Sequence, residues 1–414
     1  FPFNNPLERS YMKKTILALS MCSALFSGAA FADRDDAPKG IPALDHVFVI
    51  MMENHSYGEV IGNPNAPFLN KMAQMANLAT NYFGVGHPSL TNYLEVVGGS
   101  NFGILNDHSP DWHDASCTSN IVSGITANES TSTGVCPISG TGMDAPTPAI
   151  DTTNEGTPTN PVYNTPIPAA RTVGMTIADQ LVAAGKSWKS YQEDLPADGA
   201  DLVNYSDGIY SNLSPSSVTS TGFIQSLYAV KHNPFVYFTS VQSSLDPKNS
   251  LANAVGFDGS NGLFADLAAD NVPNFAFIAP DQCHDMHGMG NGSPLCNYDP
   301  NPPSQVNPFL TQMGDASVKK IVTAIKNSDA WKEGRSAIVV LWDENDYSSS
   351  PNQVATIVET NYGVGGVQSN NAYNHFSLLK TLEAGFGLKC LNHACDVDVK
   401  VMSDLFGGQM RQGR

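Results

Sequence analysis

With 414 residues, 41% of them hydrophobic and only 14% charged, the chain has material for one large core or a core domain carrying insertions. Its formal charge of −18 excludes non-specific binding of nucleic acid or of an anionic membrane surface. Any phosphate must then be held locally, by a metal, by helix N-termini or by a few basic groups.

The first residues read as a leader rather than as fold. Met12-Lys13-Lys14 opens a positive segment, Thr15 to Gly28 is a short apolar stretch, and Ala30-Phe31-Ala32 is a small-x-small cleavage site. The expectation is therefore a secretory signal over residues 1–32, with 1–11 resembling upstream sequence, and a single domain over 33–414. Loss of Glu8, Arg9, Lys13 and Lys14 would leave a mature charge of about −20. No later stretch approaches the ~20 apolar residues that a bilayer span needs, so stable membrane insertion is not expected. The predicted location is the periplasm or the exterior.

The first strand is expected at 46–52, where Val47-Phe48-Val49-Ile50-Met51-Met52 forms an unbroken apolar run. Such a run reads as a strand buried on both faces, as in a parallel sheet. Helices are expected from Ala66 to Asn77 and from Leu90 to Val97, the second stopping at Gly98-Gly99. From about 107 to 170, Ser, Thr, Gly, Pro and Asn dominate and periodicity disappears, which predicts a loop-rich insertion. Further on, the pattern predicts a helix at 175–185, strands at 187–191 and 234–240, a helix at 263–270 and a strand at 274–279. An amphipathic helix follows at 315–328, then a second strongly buried strand at 336–342 and a helix from His375 to Phe386 ending at Gly387. Strands alternating with helices predict an α/β fold with a mostly parallel central sheet and helices on both faces. With Cys22 in the leader, six cysteines remain, and export favours disulfides over zinc because no Cys-x-x-Cys occurs. Nearest-neighbour pairing is expected: Cys117–Cys136, Cys283–Cys296 and Cys390–Cys395.

Chemistry gathers where strands end. Glu53 and Asn54 follow the first buried strand, and Asp343 and Glu344 follow the second. In parallel sheets, ligands bind beyond the carboxyl ends of strands. Acidic strand ends are common in inert proteins, but two such pairs converging at one sheet end would repel, and a hard divalent cation removes the conflict. Ser89 follows Gly86-His87-Pro88 at the start of a helix, where a metal could lower its hydroxyl pKa and helix amides could meet a phosphate. Taken alone it reads sooner as an ordinary N-cap, and the adjacent His87 and the acidic clusters carry the case for a nucleophile. His87 could orient a phosphate or move a proton, and Asn92, on the same helix face, could donate to a phosphate oxygen. Asp281-Gln282-Cys283-His284-Asp285-Met286-His287 concentrates two histidines and two acids after the strand at 274–279. His375 lies at a helix start, where it could face an anion or simply pack. Asp258 sits in an ordinary turn rather than a calcium loop, being its only acid.

Together the motifs Met52-Glu53-Asn54-His55-Ser56, His87-Pro88-Ser89, Asp285-Met286-His287 and Trp342-Asp343-Glu344, in that order, resemble the bacterial phosphoesterase family of acid phosphatases and phospholipases C. That family belongs to the alkaline-phosphatase-like superfamily, and the resemblance runs from about Asp45 to Leu388. It implies an alkaline-phosphatase-like fold and a divalent metal ion held by Glu53, Asn54, Ser89, Asp343 and Glu344. It makes Ser89 the nucleophile, with Asp285 and His287 beside the phosphate, His87 and Asn92 nearby, and His375 matching a helix-start histidine. The chain departs from some phospholipase-type members in carrying Ser rather than Thr at the nucleophile. It also lacks the histidine-rich two-zinc set of the wider superfamily, which favours one metal.

The implied activity is an exported, metal-dependent phosphomonoesterase acting on a small phosphorylated substrate through a phosphoserine. A histidine such as His287 could protonate the leaving alcohol, which would favour acidic pH. The alternatives are a phospholipase C-like phosphodiesterase using the same groups, and a non-catalytic exported binding protein whose insertion does the binding. The residues set neither the metal's identity nor the oligomeric state.

Overall fold

Residues Val47 to Met52 and Ala337 to Trp342 are wholly buried, so both runs need cover on each face, which only central strands of a layered sheet receive. They form β1 (His46–Met52) and β6 (Ser336–Trp342), paired in parallel from His46 opposite Ser336 to Met52 opposite Trp342. Each fully buried Val, Leu, Ile or Phe of these strands contributes about 1.5–3 kcal/mol of burial energy.

The computed structural model describes residues 37–104, 107, 110, 137–138, 172–195, 227–288, 296, 307–347 and 351–407. They fall within one unit, Asp33–Arg414. The expected leader, most of the 107–170 insertion and the Cys117–Cys136 pair lie outside the described residues. Among the described residues, the remaining strands are β2 (Asn77–Phe83), β3 (Trp188–Gln192), β4 (Ala254–Val255), β5 (Phe275–Ala279), β7 (Gln353–Thr360), β8 (Gln368–Ser369) and β9 (Tyr373–Asn374). The sheet runs β4-β3-β5-β1-β6-β7-β2-β8, with β9 also on β2. Pairings are parallel except for β7, which runs antiparallel to both β6 and β2. Two antiparallel steps restore the direction of β2, so β1, β2, β3, β5, β6 and β9 all point the same way.

The helices are α1 (Tyr57–Val60), α2 (Pro67–Met75), α3 (Ser89–Gly98), α4 (Ile177–Ala183), α5 (Thr239–Gln242), α6 (Leu263–Ala268), α7 (Pro308–Asn327), α8 (Asp329–Lys332) and α9 (His375–Phe386). They form two packed groups. In one, α3, α4 and α9 touch one another; in the other, α7 packs on α2, α6 and α8. The expected α/β class, with a mostly parallel sheet between helical layers, holds. Helices α3 and α9 end where read, because Gly99 and Gly387 adopt the left-handed conformation, at φ 72° and 69°.

Three expectations are corrected. Residues 234–240 are not a strand: Pro234–Tyr237 is a 3-10 turn and α5 follows. Pro234 lacks an N–H for a ladder, and Phe235 to Phe238 bury their rings without joining the sheet. Helix α2 stops before Asn77, where β2 begins; β2 and β7 were not anticipated. Helix α7 starts at Pro308, earlier than its strongest periodicity, with Asn307 capping the amide of Phe309. Cys283–Cys296 and Cys390–Cys395 are bonded as expected.

Candidate active site

Every segment carrying candidate chemistry leaves the same end of the sheet. β1 runs into Glu53-Asn54, β2 into the turn before Ser89, β5 into the loop holding Asp285 and His287, β6 into Asp343-Glu344, and β9 into His375. Backbone bonds lock three of these exits together: the Glu53 amide donates to Asp285 O (2.9 Å) and the Asp343 amide to Met52 O (3.0 Å). Asn54 sits at φ 47°, a left-handed conformation that asparagine tolerates, and its amide donates to Asp343 Oδ1 at 3.1 Å.

Ser89 is fully buried at the first turn of α3. Its Oγ donates toward Glu53 Oε2 at 3.0 Å and lies 3.4 Å from Glu344 Oε1. Glu344 Oε2 is 2.6 Å from His87 Nδ1 and 3.2 Å from Asn92 Nδ2. The His87 ring stacks on Tyr347 with centroids 3.9 Å apart. Asn92 also donates to Gly86 O (2.8 Å), and its Oδ1 accepts from the amides of Val85 and Gly86. Asn92 thus ties the loop before α3 to Glu344.

The loop after β5 reaches the same cluster through groups the motifs did not reveal. Asp285 Oδ1 accepts from the His287 amide at 2.7 Å, while Oδ2 lies 3.3 Å from His232 Nδ1. His232 Nε2 is 3.0 Å from Glu53 Oε1, and its ring stacks on Tyr93 at 5.1 Å. The adjacent Lys231 places Nζ 3.4 Å from Ser89 Oγ, 3.4 Å from His287 Nε2 and 3.2 Å from Asp107 Oδ2. Asp107 Oδ1 accepts from the Leu90 amide at 3.0 Å. Lys231 and His232 lie in the 3-10 turn Val230–His232, just before the residues misread as a strand. Two polar residues in a short turn carry no periodic signal; only the tertiary placement under α3 makes them part of the site.

Four buried carboxylates face one another here. Burial raises the pKa of Glu53 to about 6, against the pull of Lys231. Burial, reinforced by the Glu53 charge, raises Asp285, Asp343 and Glu344 well above the carboxylate range. Burial alone would lower Lys231, but Asp107, Glu53, Glu344 and Asp343 outweigh it and keep the ammonium protonated. Burial and then Lys231 push His287 down to about 3, which favours a neutral ring accepting from Lys231 over a proton donor. His375 is lowered to about 4 by burial; its Nε2 sits 2.6 Å from Asp343 O and its Nδ1 3.2 Å from the Tyr82 hydroxyl. His375 therefore braces the Asp343 backbone from below.

The chemistry of these oxygens suits a hard divalent cation, whereas, among the described residues, the group whose ligand atoms already lie within 4.8 Å of one another is Glu193, Asp281 and His284. Asn54 Oδ1 and Asp343 Oδ2 are buried and, among the described residues, meet no hydrogen-bond donor. Unpaired buried oxygens beside mutually repelling carboxylates are costly unless a cation shares them.

His284 stands apart. Its Nδ1 lies 3.0 Å from Glu193 Oε2 and 3.1 Å from Asp281 Oδ2, forming a three-residue group with metal-compatible spacing. The Asp281 hydrogen bond, then Glu193, raises the His284 pKa to about 11, so the group reads as a protonated histidine shared by two acids. An elevated folded pKa means that the contact stabilises fully below the unfolded value of 6.5 and is lost as pH climbs toward about 11. The side chain is 39% exposed, so solvent screens the effect. His284→Asn should thus lower the melting temperature most below pH 6.5, with the gap closing as pH rises toward 11. A gap that widens with pH would contradict this pairing.

Comparison with known proteins agrees with the family resemblance. A family model described as the Phosphoesterase family matches residues 63–389, a span that holds Ser89, Asp285, Asp343 and Glu344 but begins after Glu53 and Asn54. A phosphatidylinositol-3-phosphatase of Mycobacterium tuberculosis is 25% identical over 98% of this chain and 97% of its own length. A phosphate-repressible acid phosphatase of Penicillium chrysogenum is 25% identical over 85% of this chain, which spans 61% of that protein. Among solved structures, a protein in the alkaline phosphatase superfamily from Vibrio parahaemolyticus is 12% identical with a TM-score of 0.45, covering 87% of this chain and 72% of that one. Matched by the family model over most of its length, the chain belongs to the phosphoesterase family and is a phosphoric ester hydrolase.

Proposed function

We propose that the chain is an exported, metal-dependent phosphomonoesterase of the acid phosphatase type, working through a phosphoserine on Ser89. The observation that carries the reading is a fully buried serine hydroxyl set between Glu53 (3.0 Å) and Glu344 (3.4 Å), with an ammonium 3.4 Å away. A helix cap alone needs none of these partners.

Ser89 Oγ attacks phosphorus in line as its proton passes to Glu53 Oε2; the bond from phosphorus to the ester oxygen breaks, and the departing alkoxide takes a proton from solvent. Glu53 Oε2 accepts the hydroxyl hydrogen bond and so orients the attacking oxygen. Lys231 and the first amides of α3 meet the charge spread over the equatorial oxygens, which is most of what phosphoryl transfer demands. Water then attacks the phosphoserine, freeing inorganic phosphate and restoring Ser89. Glu53, Asn54, Asp343 and Glu344, with Ser89, would hold a divalent cation, whose charge lowers the hydroxyl pKa and offsets the carboxylates against an incoming phosphate. His232 and Asp285 hold Glu53 and His287 in place, and His87 and Asn92 hold Glu344.

Export is supported by two disulfides, which persist in oxidising compartments. Among the described residues, no helix is long and apolar enough to cross a membrane. The Mycobacterium relative is named for a lipid phosphomonoester and the Penicillium one for acid phosphatase activity, and a monoester substrate is common to both names.

The decisive comparison is hydrolysis of an aryl phosphate monoester against the matching diester, with divalent cations supplied. Faster monoester turnover is expected. Faster diester turnover would replace this reading with the phospholipase C-like one, and family membership already sets aside a purely binding role.

A further inference from the structure

Asp107 occupies an unusual place for an acid. Its two carboxylate oxygens take the two donors that flank the nucleophile, the Leu90 amide at 3.0 Å and Lys231 Nζ at 3.2 Å. Lys231 Nζ is itself 3.4 Å from Ser89 Oγ. When Ser89 Oγ meets phosphorus, the non-bridging oxygens lie beside Oγ, within reach of these same donors. A carboxylate and a phosphoryl group both present two anionic oxygens to a pair of N–H donors. Both cannot sit there. Beside these two favourable contacts, Asp107 adds a further negative charge that acts on Glu53 and Glu344 in a pocket already crowded with carboxylates. Its side chain is 34% exposed, which leaves it room to swing away, whereas Lys231 is 12% exposed and Ser89 is fully buried. The chain leading to it is fastened upstream, where the Thr91 hydroxyl donates to Ile104 O at 3.1 Å.

We infer that Lys231 and the Leu90 amide form the seat for the phosphoryl oxygens, and that Asp107 is a built-in competitor which fills that seat between turnovers and yields it to substrate. This rests on the phosphoserine reading above. Asp107 acts as a specificity-determining residue. Ligands carrying a full dianionic phosphoryl group displace it, weaker anions do not, and its return opposes retention of product phosphate. Loss of the carboxylate lowers the concentration of phosphate needed to fill the site, and loss of the Lys231 ammonium raises it.

The test uses the full chain with divalent cations supplied, titrated with inorganic phosphate by calorimetry and assayed with an aryl phosphate. Asp107→Asn and Asp107→Ala are each expected to bind phosphate about tenfold more tightly than the wild type, with KM falling in step. Lys231→Met is expected to bind it about tenfold more weakly. In the Lys231→Met background, Asp107→Asn should gain less than it does alone, because half of the contested seat is gone. Two Asp107 variants guard against a folding defect in one of them, and the Lys231 arm is independent of both. Phosphate binding that is unchanged or weakened in the Asp107 variants overturns the competitor role, as does a Lys231→Met protein that binds phosphate like the wild type. Failure of the phosphoserine reading shows separately, as turnover that survives Ser89→Ala, while the phosphate titration still decides the role of Asp107.

Discussion

Ser89→Ala is expected to reduce kcat toward an aryl phosphate monoester by at least about 10⁴-fold, the scale seen when an attacking group is deleted. The loss follows from position as well as identity. The hydroxyl is fully buried where α3 begins, with its Oγ 3.0 Å from Glu53 Oε2 and 3.4 Å from Glu344 Oε1. Ser89→Thr keeps a nucleophile at the same Cβ and should retain far more activity than Ser89→Ala. Stability is the weaker readout, since deleting the hydroxyl removes one donor from Glu53 and costs about 1–3 kcal/mol at a buried acceptor. The sharper readout is a trapped phosphoenzyme. Rapid acid quench after mixing with radiolabelled substrate should leave label on the wild-type chain and none on Ser89→Ala. Label retained by Ser89→Ala, or turnover within tenfold of wild type, would remove Ser89 from the mechanism.

The parts of this site legible in the sequence share one physical signature. β1 and β6 are unbroken apolar runs that stop at an acid, because a doubly covered strand tolerates no charge until it leaves the sheet. The sequence pattern alone therefore puts Glu53, Asn54, Asp343 and Glu344 at strand ends. Ser89 was marked by the Pro88 before it and the helix after it, and Gly99 and Gly387 marked helix ends through a backbone conformation that glycine adopts cheaply. β2 and β7 escaped because Asn77, Thr80 and Asn81 in one, and Thr356, Glu359 and Thr360 in the other, break up the apolar signal. The strand read over 234–240 failed because burial alone does not distinguish a strand from packed 3-10 turns once Pro234 removes a ladder donor. Lys231, His232, Asp107 and Tyr93 were invisible for a different reason: each matters only through what it touches across the fold.

On the metal-dependent mechanism proposed above, removal of the cation is expected to abolish turnover and to lower the melting temperature, and the two effects have one origin. Glu53, Asp285, Asp343 and Glu344 are buried together; burial first, and then the Glu53 charge acting on the other three, raises their pKa values, with Lys231 the ammonium that faces them. Asn54, Asp343 and the glutamates would hold the cation, which would neutralise the carboxylates and satisfy buried oxygens that, among the described residues, meet no donor. By mass action, a ligand at a hundred times its dissociation constant stabilises by about 2.7 kcal/mol. For a domain of this size that corresponds to a melting shift of about 4 °C. Exhaustive chelation should therefore lower the melting temperature by a few degrees and reduce turnover to background, and re-addition of one divalent metal should restore both. Asp343→Asn separates this from a general effect of chelator. It removes one negative charge while keeping the shape, so the chelated variant should be as stable as the chelated wild type or more so, because less repulsion remains. Its metal-dependent gain in stability should shrink, and its turnover should fall about 100-fold. Full turnover in protein shown by elemental analysis to be metal-free would overturn the cation's role. A wild type whose melting curve ignores chelation would mean that the four carboxylates are held apart by protonation instead, and that Asn54 and Asp343 turn to water rather than to metal.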